Sequence, residues 1–303
     1  MTSQNQNDFA PEVRNSAMWS GDARKIANGK VADVILEKQL KKPIPDLSDI
    51  EEVQMGKKME RIIAQLFTEK HKIQLDDADY VLSHPKENWM KSHFDYVFRK
   101  DGKPVLVEAK NYNMAVMNKF DEEYNVIPNS DMAQLIHEAT VHQTDEIYLA
   151  VLFGGQKFRT FHFKITDEMK LDHIKALAEV WGHVKAGTLP EADTVENSKL
   201  IYPLSIDEAA MASQSVEKAV EALKNYKAKI SALEAEMEQI EVAVRNYMGD
   251  KGSLMTVDGR TLVTWKNSKA SMKFDTKLFQ QSMPDLYEKY MVETMGSRRF
   301  LIK

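Results

Sequence analysis

A chain of 303 residues with 43% hydrophobic content can bury one large core, or a core with an appendage, which excludes disorder throughout. Its 41 Lys and Arg against 46 Asp and Glu leave a formal net charge of −5, so any nucleic-acid site has to be a local patch. The absence of cysteine excludes disulfides, Cys-ligated zinc and iron–sulfur clusters and fits a reducing cytoplasm. Residues 1–13 lack the apolar stretch of a signal peptide and no run of about 18 apolar residues occurs, so the expectation is a soluble, cytoplasmic protein.

The first 15 or so residues are polar and helix-poor, and helical spacing through Ile26, Val31, Val34 and Ile35 then predicts one helical arm over 17–38. After Pro43 and Pro45, the phrase beginning at Asp46 supplies cap residues and early acids for a second helix carrying Met55, Met59, Ile62, Ile63, Leu66 and Phe67. From Asp79 the pattern turns to short β-branched and aromatic runs at 80–83, 93–99 and 104–110, the last two separated by an Asp101-Gly102 hairpin turn. A helix over 130–142 follows, then two strands, 146–153 and 157–164, that pair across Gly154-Gly155. The order predicts an α/β sandwich, a central sheet covered by helices, closed by a helix over 167–185.

Residues 188–198 are polar and aperiodic, and a domain boundary is placed there. The division expected is a first domain over 1–195, a linker and helical segment over 196–250 and a small module over 251–303. Val216, Val220, Leu223, Ile230, Leu233, Met237, Ile240, Val244 and Tyr247 largely alternate by three and four, which predicts a coiled-coil or helical-hairpin seam of about four heptads. Beyond Gly249 the expectation is a small α+β module with one strand over 261–266 and one helix over 275–290. That module holds ten Lys and Arg against five Asp and Glu, a net +5, and leaves −10 on residues 1–250.

The residues able to carry chemistry lie in the strand region. Asp95 is expected mid-strand, and thirteen residues later Glu108-Ala109-Lys110 ends the next strand, a spacing that can bring both carboxylates to one end of the sheet. Period-two alternation puts Glu108 and Lys110 on one face and leaves the Ala109 carbonyl as a further oxygen ligand. Hard oxygen donors suit Mg²⁺ or Mn²⁺, which can hold a scissile phosphate, lower the pKa of a bound water and neutralise the leaving oxygen, with Lys110 beside them. The chemistry indicated is phosphodiester hydrolysis. Roughly two acid-x-Lys triples are expected by chance in such a chain. The Glu108 triple is singled out by its apolar strand, by Asp95 on the neighbouring strand and by Glu60 on the preceding helix, because buried charges are costly unless paired or metal-bound. An ordinary salt bridge at a strand end is the competing interpretation.

At these residues the sequence resembles the PD-(D/E)xK nuclease superfamily and, within it, the YqaJ-like viral recombinase family that includes lambda-type exonucleases. Met55-Gly56-Lys57-Lys58-Met59-Glu60 resembles the family's G-x-x-x-E helix, and Ser83-His84-Pro85, Trp89 and Asp95 resemble its HP…D region. Val107-Glu108-Ala109-Lys110, Gln134-Leu135-Ile136-His137 and the run from Asp145 to Gly155 follow in the family's order, so the likeness covers about residues 20–165. The resemblance implies a restriction-endonuclease-like α/β core with a central mixed sheet flanked by helices. Asp95 and Glu108 would be the principal metal ligands, with Glu60 a further ligand or base, Lys110 the catalytic lysine and Gln134 an orienting residue. Where lambda-type enzymes carry a serine that grips a 5′-phosphate, this chain has Ile26-Ala27-Asn28-Gly29-Lys30, and Arg24 and Lys30 are the candidate substitutes.

What the resemblance implies for function is a Mg²⁺-dependent (or Mn²⁺-dependent) deoxyribonuclease, an exonuclease acting 5′ to 3′ on double-stranded DNA ends in phage-type recombination. A RecT- or Redβ-like single-strand annealing protein is the implied partner, and a ring-shaped homotrimer the implied assembly. The alternatives are a structure-selective or restriction-type endonuclease and a non-catalytic DNA-end-binding scaffold. His84 is expected at a strand end, His137 packed against the sheet, and His93 near Asp95. The 17 methionines read as core fillers. Trp265 and the basic tail could serve as a DNA-binding surface, a solvated face or a protein-docking module.

Overall fold

Gly29, at a φ of 78°, divides the segment expected as one helix over 17–38. The computed structural model describes residues 11–41, 49–294 and 296–303; the polar residues up to 10, and Pro43, Pro45 and Asp46, lie outside the described residues. Helix α1 (Pro11–Asn15) leads into strand β1 (Met18–Trp19), followed by α2 (Ser20–Ala27) and α3 (Val31–Gln39). Asp22 of α2 accepts the Trp19 backbone N–H at 2.8 Å and pairs with Lys38 of α3 at 2.7 Å, a buried ion pair that ties the two helices together. Helix α4 (Glu51–His71) begins after Ile50, which supplies no side-chain cap, and carries the expected acids Glu51 and Glu52 in its first turn. Of its expected apolar positions Ile63 and Phe67 are buried, while Met55 and Ile62 are exposed.

The strands that follow belong to two sheets. Strands β2 (Asp76–Asp77), β3 (Val81–Ser83), β4 (Met90–His93), β5 (Tyr96–Lys100) and β6 (Lys103–Tyr112) precede a 3₁₀ turn (Met114–Lys119), helix α5 (Asn129–His142), β7 (Glu146–Phe153), β8 (Lys157–Lys164) and helices α6 (Asp167–Ala186) and α7 (Val195–Ile201). The main sheet has the order β2-β5-β6-β7-β8, and a three-stranded sheet has the order β1-β4-β3. Asp101 and Gly102, at φ of 50° and 77°, close the β5–β6 hairpin with the positive angles of a type I′ turn. β6 and β7 are parallel, which requires the crossover that α5 supplies, and β7 and β8 pair antiparallel across Gly154-Gly155. Residues 195–198, expected as part of an aperiodic stretch, instead open α7, where the Thr194 hydroxyl accepts the Asn197 N–H at the N-cap.

Alternation along β6 and β7 divides the core. Val105, Val107, Ala109, Ala150 and Leu152 face Ile63 and Phe67 of α4, whereas Leu106, Leu149, Val151 and Phe153 pack with Leu135 and Ala139 of α5 and Leu177 of α6. Full burial of side chains such as Ile63 and Phe67 contributes roughly 1.5–3 kcal/mol each, which holds α4 against the sheet. The sandwich is the mixed α/β architecture that the PD-(D/E)xK resemblance implies. The chain divides into two compact units, Met1–Tyr202 and Pro203–Lys303.

The second unit holds α8 (Gln214–Met248), a hairpin of β9 (Ser253–Met255) and β10 (Thr261–Thr264), and helices α9 (Thr276–Ser282) and α10 (Pro284–Tyr290). α8 is one continuous helix of 35 residues, which removes the helical-hairpin alternative for that seam. The single helix expected over 275–290 is two, because Pro284 ends α9 and opens α10.

Candidate active site

Asp95 is not mid-strand. The expected run over 93–99 breaks at Phe94 and Asp95, where the chain leaves β4 of the small sheet and enters β5 of the main one. Phe94 is buried in the core, and the Asp95 carbonyl accepts the Ala78 N–H at 3.0 Å, so the break is anchored on both sides. β5 starts at Tyr96 opposite Val107, and β6 runs on past it. There the Asp95 carboxylate takes over the ladder, its Oδ2 accepting the Ala109 N–H at 2.9 Å. A strand residue directs its N–H and C=O to one side, so the Ala109 carbonyl faces the same edge as Asp95.

Glu108 and Lys110 alternate with Val107 and Ala109 and therefore project to the α5 face. Glu108 is only 4% exposed. Its Oε1 accepts from Lys110 Nζ at 2.5 Å and from Gln134 Nε2 at 2.6 Å, and the same Gln134 nitrogen donates to Glu138 Oε1 at 2.7 Å. Gln134 and Glu138 are one turn apart on α5, both buried. Around Gln134 a second layer forms: Arg24 donates to Gln134 Oε1 at 3.5 Å and to the Tyr112 hydroxyl at 3.0 Å and pairs with Asp131 at 3.2 Å, and Tyr112 donates to Asp131 at 2.6 Å. On the α4 side, a cleft of about 630 Å³ is lined by Lys57, Glu60, Asp79, His93 and Asp95 among others. His93 bonds Asp79 at 2.7 Å.

The electrostatics are those of crowded carboxylates. Burial, and then the charge of Glu108, hold both Asp95 and Glu138 well above the usual carboxylate range, and the same two causes raise Glu60. Burial would raise Glu108 as well, but the Lys110 ammonium outweighs it and holds Glu108 low. Lys110, although desolvated, is pushed up by Glu108 and Asp95 and so stays protonated at neutral pH. One ammonium therefore stands among more carboxylates than it can neutralise, and these hard oxygen donors fit a divalent cation. Among the described residues, no three His, Cys, Asp or Glu side chains converge closely enough to form a ready-made metal cage.

The structure thus brings Glu60, Asp95, Glu108, Lys110 and Gln134 into one neighbourhood, with Arg24 reaching Gln134. Lys30 is exposed at the start of α3, away from these hydrogen bonds. Glu138, Tyr112 and Asp131 escaped sequence analysis. The available signals were the i, i+4 spacing of Glu138 from Gln134 and the place of Tyr112 two residues beyond Lys110 on the same strand face. His137 is fully buried, its Nε2 bonded to the Lys91 carbonyl at 3.0 Å and its Nδ1 to His173 at 3.2 Å; burial depresses its pKa to about 4.

The family model of the YqaJ-like viral recombinase domain matches residues 13–145, which include every member of this cluster. The uncharacterized protein YqaJ of Bacillus subtilis (strain 168) is 27% identical over 318 residues, spanning 96% of each chain. Among solved structures, the alkaline exonuclease LHK-Exo from Laribacter hongkongensis is similar at a TM-score of 0.48 and 9% identity, over 57% of this chain and 90% of that one. LHK-Exo in complex with dAMP aligns at 0.44 and 8% identity, over 60% and 94%. The matched residues lie wholly within the first compact unit; α8 and the module after it lie beyond the match. No helix of the described residues is long and apolar enough to cross a membrane.

Proposed function

We propose that the recombinase domain is a divalent-metal-dependent DNA exonuclease, with Mg²⁺ or Mn²⁺ as the ion, degrading duplex ends 5′ to 3′. The observation that carries this proposal is the convergence of Asp95, Glu108, Lys110 and Gln134 at the open edge of β6 within a domain of a recombinase family. Asp95, Glu108, the Ala109 carbonyl and Glu60 would hold the ion. When bound, the ion supplies charge neutralisation and Lewis acidity at the scissile phosphate. Lys110, protonated, is an electrostatic partner for the developing phosphate charge and not a proton acceptor. Gln134 fixes the Glu108 carboxylate through its amide, and Arg24 fixes Gln134 in turn. The family resemblance extends the proposal to a RecT- or Redβ-like annealing partner on the exposed strand and to a homotrimeric ring.

The test is digestion of linear, nicked and closed circular duplex with and without Mg²⁺, using 5′- and 3′-labelled ends. Loss of 5′ label from linear DNA only, and only with metal, is expected. Cutting of closed circles would indicate an endonuclease, and binding without cleavage a scaffold.

A further inference from the structure

From residue 211 to residue 243 every side chain is exposed, including those of the apolar seam of α8. Ile230, Leu233, Met237 and Ile240 are 54–67% exposed. A helix gains most of its stability in water by packing an apolar face, and a row of large apolar side chains left in solvent marks an interaction surface.

The seam is stricter than its apolar positions first suggest. Val216, Leu223, Ile230, Met237 and Val244 recur every seven residues, and Ala219, Tyr226, Leu233, Ile240 and Tyr247 follow each of them by three. These are the a and d positions of five unbroken heptads. The flanking charges select the occupant. In a parallel pair in register, Lys229 would meet Glu234 of the other helix, but Glu236 would meet Glu241, like against like. In an antiparallel pair with Ile230 opposite Leu233, Leu223 meets Ile240 and Val216 meets Tyr247, so the apolar rows match along their full length. That register sets Lys229 against Glu236 and Lys227 against Glu234, each twice by symmetry.

We propose that α8 pairs with α8 of a second copy of this chain as an antiparallel two-stranded coiled coil. The pairing is independent of the nuclease assignment and of any contact between the first units. The chain contains no cysteine, so single thiols can be introduced without background. Full-length Val216→Cys and Tyr247→Cys proteins would be treated with a short bis-maleimide, separately and mixed, and run on denaturing gels. The expected result is a covalent dimer in the mixture and little in either variant alone, because like positions would be about 46 Å apart at 1.5 Å per residue. Ile230→Lys added to both should abolish the cross-link and halve the solution mass while leaving the melting of the first unit in place. Self-cross-linking of Val216→Cys would overturn the antiparallel arrangement. Absence of any cross-link, with a wild-type mass that Ile230→Lys does not alter, would overturn the pairing and leave the seam to a different protein.

Discussion

The cluster under α5 and the seam of α8 invert the ordinary distribution of side chains in opposite senses. In the first, Glu108 and Glu138 are buried at 4% and 2% exposure; in the second, Leu233 and Met237 are each 63% exposed. Each inversion costs free energy in the isolated chain, and under the two proposals each would be relieved by a different kind of ligand: a cation for crowded carboxylates, an apolar helix for an apolar row. Burial alone would not separate a site from a fault in packing. What separates them is that both inversions are ordered, one by hydrogen bonds that converge on a single carboxylate oxygen and the other by an unbroken seven-residue period.

The comparison breaks most visibly if the buried cluster proves merely structural. Asp95→Asn and Lys110→Met should each lower nuclease rate by about 10³-fold or more, roughly 4 kcal/mol of transition-state stabilisation, with the far-UV circular dichroism unchanged. Activity within tenfold of wild type in both would remove these side chains from the chemistry.

Acid sensitivity should localise to the first unit. His137 is buried and neutral, its pKa lowered from the usual 6.5 to about 4. A depressed folded pKa contributes stability that is present above the unfolded value and is lost as pH falls from 6.5 toward 4. The loss is about 3 kcal/mol for this group. Urea midpoints for the first transition should therefore fall between pH 7 and pH 4.5, and His137→Gln should flatten that fall; an unchanged slope would contradict it.

Glu138 provides the opposite sign. Its raised folded pKa means stability is lost as pH rises through that value, so Glu138→Gln should stabilise the metal-free protein by about 1 kcal/mol, increasingly toward alkaline pH. A thermal melt series over pH 6–9 measures this, and a variant less stable at every pH would show that Glu138 is held by its hydrogen bonds alone. The smallest effect belongs to the seam. Leu233→Ser should shift the first unit's melting by no more than about 0.5 kcal/mol, since the side chain it removes belongs to the second unit and is 63% exposed.

How far the sequence spoke for the structure follows from which forces were local. The Asp101-Gly102 turn sets the β5–β6 register, and alternation then places Glu108 and Lys110 on one face, so that pair was legible. The position of Asp95 was not, because 93–99 alternates like one strand; its break is imposed by pairing with two different sheets. Glu138 was hidden because an acid in a helix ordinarily faces water, and only the Glu108–Gln134 pair beneath it makes it buried. Gly29 and Pro284 split helices whose apolar spacing runs through them, local signals that periodicity outweighed. On α8 the pattern alone carried the seam, while its exposure could be seen only in the fold.

The proposed function depends on a divalent cation held by the Asp95 and Glu108 carboxylates. The direct measurement is the melting temperature of the first transition with and without 10 mM Mg²⁺, in the absence of DNA, for wild type and Asp95→Ala. Binding at ten times the dissociation constant stabilises by about 1.4 kcal/mol, a rise of about 3–6 °C for a unit of this size. A rise of that order in wild type and little or none in Asp95→Ala is the predicted result, and equal rises in the two proteins would contradict the account.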